Sequence, residues 1–111
     1  MARGLFVLSI NPNGDGSLVG KYIAETYEDI PIGPNDILNI QMNLSSSEKF
    51  TITSYPDYLF LNYNHEYRQK RDTYHLICSV ILEKDDDSLF FQDALSIFAT
   101  EMIEKIGAPR K

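Results

Sequence analysis

The order of its apolar segments constrains this chain more than any short motif does. Residues 5–10, 19–27, 50–55, 58–63 and 73–83 read as strands, and residues 37–44 and 89–106 as helices. The order β-β-α-β-β-β-α within 111 residues predicts an α+β fold, a five-stranded antiparallel sheet with helices packed on it. Residues 5–10 and 74–82 are nearly continuous apolar runs, the pattern of central strands covered on both faces. The second strand carries Lys21 and Glu25, which suits a half-exposed edge.

Turn chemistry sets the boundaries. Asn11, Pro12, Asn13, Gly14, Asp15 and Gly16 tolerate or demand turn conformations, so the first two strands form a hairpin with a loop longer than two residues. Pro31 and Pro34 remove backbone donors and end the second strand. Asn35 or Asp36 is placed to cap the first helix, whose Ile37, Ile40 and Leu44 share one face with Leu38 and Met42 beside them. Pro56 and Asp57 turn the chain between the third and fourth strands, and residues 64–72 form a charged connection or a protruding extension of the hairpin. Asp87 or Ser88 caps the last helix, where Phe91, Leu95, Phe98, Met102 and Ile106 form a stripe widened by Phe90, Ala94 and Ile97. Gly107 and Pro109 end it.

Length fits one domain spanning residues 1–111. A net charge of −6 argues against nucleic-acid binding, which rests on neutralising phosphates, and against direct docking to an anionic membrane. A single cysteine, Cys78, forms no intrachain disulfide, and no apolar run is long enough to span a membrane. The apolar N-terminal stretch is too short for a signal peptide and runs into a turn rather than a cleavage site. A cytoplasmic protein is expected.

No catalytic constellation accompanies this order, and a non-enzyme without metal or cofactor is expected. The spacing Asn11-x-Asn13-x-Asp15 matches half of a calcium loop, but Tyr22 stands where the bidentate Glu belongs, and strands flank it. Gly20-Lys21 resembles the end of a phosphate-binding loop, but Asp15 and Tyr22 occupy the positions of its first glycine and its hydroxyl ligand. His65 and His75 are not spaced as metal ligands, and Cys78 in mid-strand reads as apolar filler. Asp85, Asp86 and Asp87 read as a solvated turn with a cap, a weak cation site being the minor alternative. Arg68, Lys70 and Arg71, near Tyr63 and Tyr67, form the chain's only basic cluster, either a solvated tip or a contact for an acidic partner surface or a phosphoinositide head group.

The opening strand at 5–10, the Asn/Gly-rich turn, the second strand running into Tyr27 and Ile30-Pro31, the three-stranded meander and the long last helix together resemble the longin (SNARE-like, profilin-like) domains across residues 4–107. Roadblock domains share the core topology but begin with an additional helix. Longins usually carry a further C-terminal helix, and longin SNAREs continue into a coiled coil and anchor; this sequence shows neither, which points to the adaptor branch. The resemblance implies a non-catalytic interaction module that binds or regulates a small Ras-like GTPase, or pairs with a longin or roadblock partner, in trafficking-type machinery. It also implies a possible homodimer and only indirect membrane association. With one sheet face covered by the helices, the second strand would be the open edge, carrying Tyr22 and Tyr27 as interface anchors. The alternative is a PAS/profilin-like small-molecule sensor with His75, Cys78 and Tyr63 lining a pocket.

Overall fold

Twelve residues, Asp72–Glu83 (β5), form the middle strand of the sheet in a computed structural model of the chain, which describes residues 3–24, 30–42, 44 and 49–106. In chain order the elements are β1 (Gly4–Ile10), β2 (Gly16–Ile23), α1 (Pro34–Met42), β3 (Phe50–Ser54), β4 (Tyr58–Gln69), β5 and α2 (Ser88–Ile106). The five strands pair antiparallel in the order β2-β1-β5-β4-β3. The fold is therefore the expected α+β arrangement, with β1 and β5 internal and β2 at an edge.

The helices do not share a face, contrary to the sequence expectation. Alternation along β1 sends Val7 to one side and Phe6 and Leu8 to the other, and each side has its own core. On one side Val7, Leu61, Cys78 and Leu82 pack beneath Leu95, Ala99 and Ile103 of α2. On the other, Phe6, Leu8, Phe60, Ile77 and Ile81 pack beneath Ile40 of α1. The continuous apolar runs of β1 and β5 already required cover on both faces, and one helix on each supplies it.

Two boundaries also move. The turn after β1 is shorter than its composition suggests: β2 begins at Gly16, paired with Ile10. Asn11 closes that turn by accepting from the N–H groups of Asn13 and Asp15, both at 3.0 Å. Helix α1 begins at Pro34, where a missing N–H costs nothing. Asp36 then reaches back from the helix to accept from Gly33 N–H at 2.9 Å, so it caps from inside the first turn rather than from before it. Gly16 lets α1 approach the sheet, since a Cβ there would meet Ile37 Cγ2 at 2.5 Å.

At residues 64–72 the protruding extension of the hairpin is what the structure shows. Residues 64–69 are polar and charged, yet they continue the strand to Gln69, in register with β5 to Asp72. Neighbouring strands stop sooner: β3 reaches only Tyr63, and β1 reaches only His75. The hairpin thus projects as a two-stranded ribbon, and twelve residues at about 3.4 Å each account for the molecule's 42 Å long dimension.

At its tip Lys70 holds φ of 59°, the left-handed region that favours glycine. Lys70→Gly is expected to raise stability by about 0.5–1 kcal/mol. A thermal midpoint unchanged or lowered against wild type would contradict this.

Candidate interaction surfaces

β2 exposes apolar side chains along its length. Leu18 is 40%, Val19 50% and Tyr22 60% exposed, and no described strand pairs with its outer side. The register slips between Val7 and Leu8, so Val19 is the extra residue of a bulge that divides the edge into two short stretches. Tyr22 lies opposite Leu5, on the α2 side of the sheet. Lys21 points to the other side and donates to Ile30 O at 3.2 Å. Tyr27 lies outside the described residues.

The ribbon tip brings Arg68, Lys70 and Arg71 together, all exposed, with Lys70 and Arg71 forming the two-residue loop between the paired Gln69 and Asp72. Just behind it, Tyr67 and Tyr74 oppose each other and stack with ring centroids 5.4 Å apart at 13°. His65 stacks on Tyr67 at 5.8 Å. Tyr67 also packs against the α2-side core, so these rings stiffen the base of the ribbon. Tyr22 and the basic tip are not neighbours. Tyr22 is in the row of Val80, eight residues along β5 from Asp72, a separation of about 27 Å at strand rise. They are two surfaces, not one site.

The remaining candidates resolve into structural roles. Asn11 Oδ1 is occupied by two backbone donors, so the calcium-like spacing is a turn. Glu83, Asp85 and Asp86 bring one oxygen each within 4.8 Å of one another. Asp86 is engaged with Glu83 N–H at 2.9 Å, and Asp87 accepts from Leu89 N–H at 3.0 Å as the cap of α2. His75 Nδ1 lies 3.0 Å from Asn64 Oδ1 on the α1 side, whereas Tyr63 and Cys78 oppose each other on the α2 side. The three do not converge on a common pocket. Glu66 and His65, though adjacent in sequence, point to opposite faces of β4.

Burial pushes the Cys78 thiol up to about 12, and the side chain is 1% exposed. Such a thiol is not a nucleophile at neutral pH. In the unfolded chain it ionises near 9, so the folded state holds its proton through pH 9–12 and stability falls as pH rises across that window. Tyr55, pushed up to about 12 by burial and by its hydrogen bond to Asp36 at 2.6 Å, adds to the same fall from pH 10 upward. We expect native Cys78 to resist a thiol reagent at pH 8, and Cys78→Ala, less stable than wild type at neutral pH because of the cavity it opens, to lose stability less steeply with rising pH above 9. Rapid labelling of the native protein would contradict the first, and parallel stability-against-pH curves the second.

One surface was missed by sequence reasoning. Phe90 and Ile97 do not widen the buried stripe of α2; they are 77% and 64% exposed. Beside them an open apolar trough of about 190 Å³ is lined by Leu5, Val80, Phe91, Ala94, Leu95 and Phe98. An apolar sector wider than one buried stripe requires was its signal in the sequence.

No helix among the described residues is long and apolar enough to cross a membrane. No known family model, curated protein or solved structure matches the chain.

Proposed function

We propose that this chain is a non-catalytic, cytoplasmic interaction module of the longin type. It binds or regulates a small Ras-like GTPase, or pairs with a longin or roadblock partner in trafficking-type machinery, and reaches membranes only through that partner. The observation that carries this reading is the outer side of β2, an exposed strand edge bearing Leu18, Val19 and Tyr22. An added strand would gain backbone hydrogen bonds there, and Tyr22 suits a half-wet contact. The bulge at Val19 limits such pairing to one of two short stretches, which favours a regulated complex over open-ended sheet growth. A second copy could use the same edge to form a homodimer. The sensor alternative draws less support, because His75 lies on the opposite sheet face from Tyr63 and Cys78.

The test is affinity capture on the immobilised chain from lysate of its source, once with GDP and once with a non-hydrolysable GTP analogue. The expected result is enrichment of a small GTPase or of a longin or roadblock protein, lost when Val19→Lys and Tyr22→Asp are combined. Nucleotide dependence would separate an effector from a regulator. The reading fails if none of these proteins binds and the chain does not self-associate at tens of micromolar, where weak specific complexes are still detectable.

A further inference from the structure

Where β4 and β5 outrun the rest of the sheet, they carry their shared end away from an acidic body. β1 reaches only the row of His75 and β3 only that of Cys78, so the ribbon clears them by about 10 Å and about 20 Å at strand rise. The Debye length at physiological salt is about 8 Å, so the net charge of −6 does not decide what the tip attracts. Residues 68–72, all exposed, hold the cations Arg68, Lys70 and Arg71 against one carboxylate, Asp72. Asp72 shares a row with Gln69 and so lies on the opposite face of the ribbon from Arg68. Glu66, the next carboxylate back, sits opposite His75.

The backbone of the tip is held at a cost. Lys70 takes φ of 59° in a two-residue loop, a place that glycine, asparagine or aspartate fills with less strain. Strain of this kind clusters where a side chain serves something other than the fold. Behind the loop, the Tyr67–Tyr74 stack and His65 stiffen the two strands, so the backbone presenting the cations loses little freedom on binding. The tip also discriminates among anions. It includes no apolar side chain to enter a bilayer, and its three cations fall short of the roughly four to eight that dock a segment on anionic lipid. Entering a duplex major groove about 8.5 Å deep would take Asp72 inside and bring Glu66 to the phosphates. Carboxylates spaced along a protein segment bend round the tip and meet the planar forks of Arg68 and Arg71 without that repulsion. We propose that the tip of the β4–β5 ribbon receives a carboxylate-rich segment of a partner protein, with Arg68, Lys70 and Arg71 as its contacts. No residue of β2 takes part, and the proposal does not rest on the edge reading.

The probe is a fluorescein-labelled peptide of about 12 residues in which Glu alternates with Ser or Gly, titrated with the whole chain and read by anisotropy. It is expected to bind at about 20 mM salt and to bind about tenfold more weakly at 150 mM, as solvated ion pairs do. Arg68→Gln combined with Arg71→Gln should weaken binding about tenfold or more. Lys105→Gln, which removes an exposed cation from the last turn of α2, should leave it unchanged. Lys70→Gly should weaken binding several-fold while raising the thermal midpoint, opposite signs that a loop with a merely structural role does not give. Circular dichroism and the thermal midpoint confirm that each variant folds. Vesicles containing phosphatidylserine and a phosphoinositide, and a short DNA duplex, are titrated alongside. The proposal is overturned if the peptide does not bind at low salt, or if the double variant or Lys70→Gly binds it as tightly as wild type. It is equally overturned if Lys105→Gln weakens binding as much as the double variant, or if vesicles or duplex bind more tightly than the peptide. The β2 edge is tested by capture and by substitutions at Val19 and Tyr22, and the tip by this peptide and by ribbon variants, so either fails alone.

Discussion

Phe60→Ala is expected to lower the unfolding free energy by about 3–5 kcal/mol. Phe60 is fully buried and meets fully buried Phe6 edge-to-face, with centroids 5.0 Å apart. Tyr55 at 5.1 Å and Tyr58 at 5.5 Å close the aromatic cluster at the end of the α1-side core. Truncation removes the transfer free energy of a ring and leaves a cavity that backbone pairing on both sides prevents from collapsing. The loss is a large share of the roughly 5–15 kcal/mol that a domain of this kind possesses. Urea unfolding should show a midpoint far below wild type with an unchanged slope. Phe90→Ala, on the exposed flank of α2, should change the unfolding free energy by less than about 0.5 kcal/mol. Equal effects from the two would mean that Phe60 does not pack as described.

The second large effect concerns polar groups. Asn62 is wholly buried, and its Oδ1 accepts from Ser79 Oγ at 2.6 Å while its Nδ2 donates to Thr53 Oγ1 at 3.0 Å. Ser79 is fully buried and Thr53 is 4% exposed, so neither has water to turn to. Asn62→Ala strands two buried hydroxyls as well as opening a cavity, and should cost about 2–4 kcal/mol. Replacing the whole set at once (Asn62→Leu, Ser79→Ala, Thr53→Val) removes the stranded groups along with the network. It should recover much of that loss, because the penalty belongs to the unmade bonds. Strict additivity of the single substitutions would show that the three side chains are not coupled.

Much of the architecture was legible in the sequence, for a reason visible in particular strands. β1 and β5 are apolar at both parities because both of their faces are covered, so their central position followed from the same fact that betrays them as strands. The edge position of β2 was legible from its charged side chains. The far half of β4 was legible only as one of two alternatives. Asn64, Glu66 and Arg68 fitted a connection as well as an extended hairpin, because polarity marks solvent whether a segment is a loop or a ribbon that outruns its flanking strands. Placing the helices on opposite faces needed the parity of each contact, which spacing along a helix does not reveal. Of the candidate surfaces, the basic cluster was visible as a run of residues. The trough was hidden because Phe90, Ala94 and Ile97 look like core until the buried stripe is seen to pass through Leu95, Ala99 and Ile103 instead.

The strand order carries a consequence for synthesis. β5 joins the β1–β2 hairpin to the β3–β4 pair, yet it is the last strand to be made. Between the completion of β2 at Ile23 and the arrival of β5 at Asp72 the ribosome spends on the order of 2–10 s at 5–20 residues per second. Through that interval β1, the most apolar stretch of the N-terminal half, has one bare backbone edge, and its α2-side face stays uncovered even after α1 is made. A nascent chain of this design depends on being shielded while it waits, and slowing translation before residue 72 should raise aggregation more than slowing it afterwards.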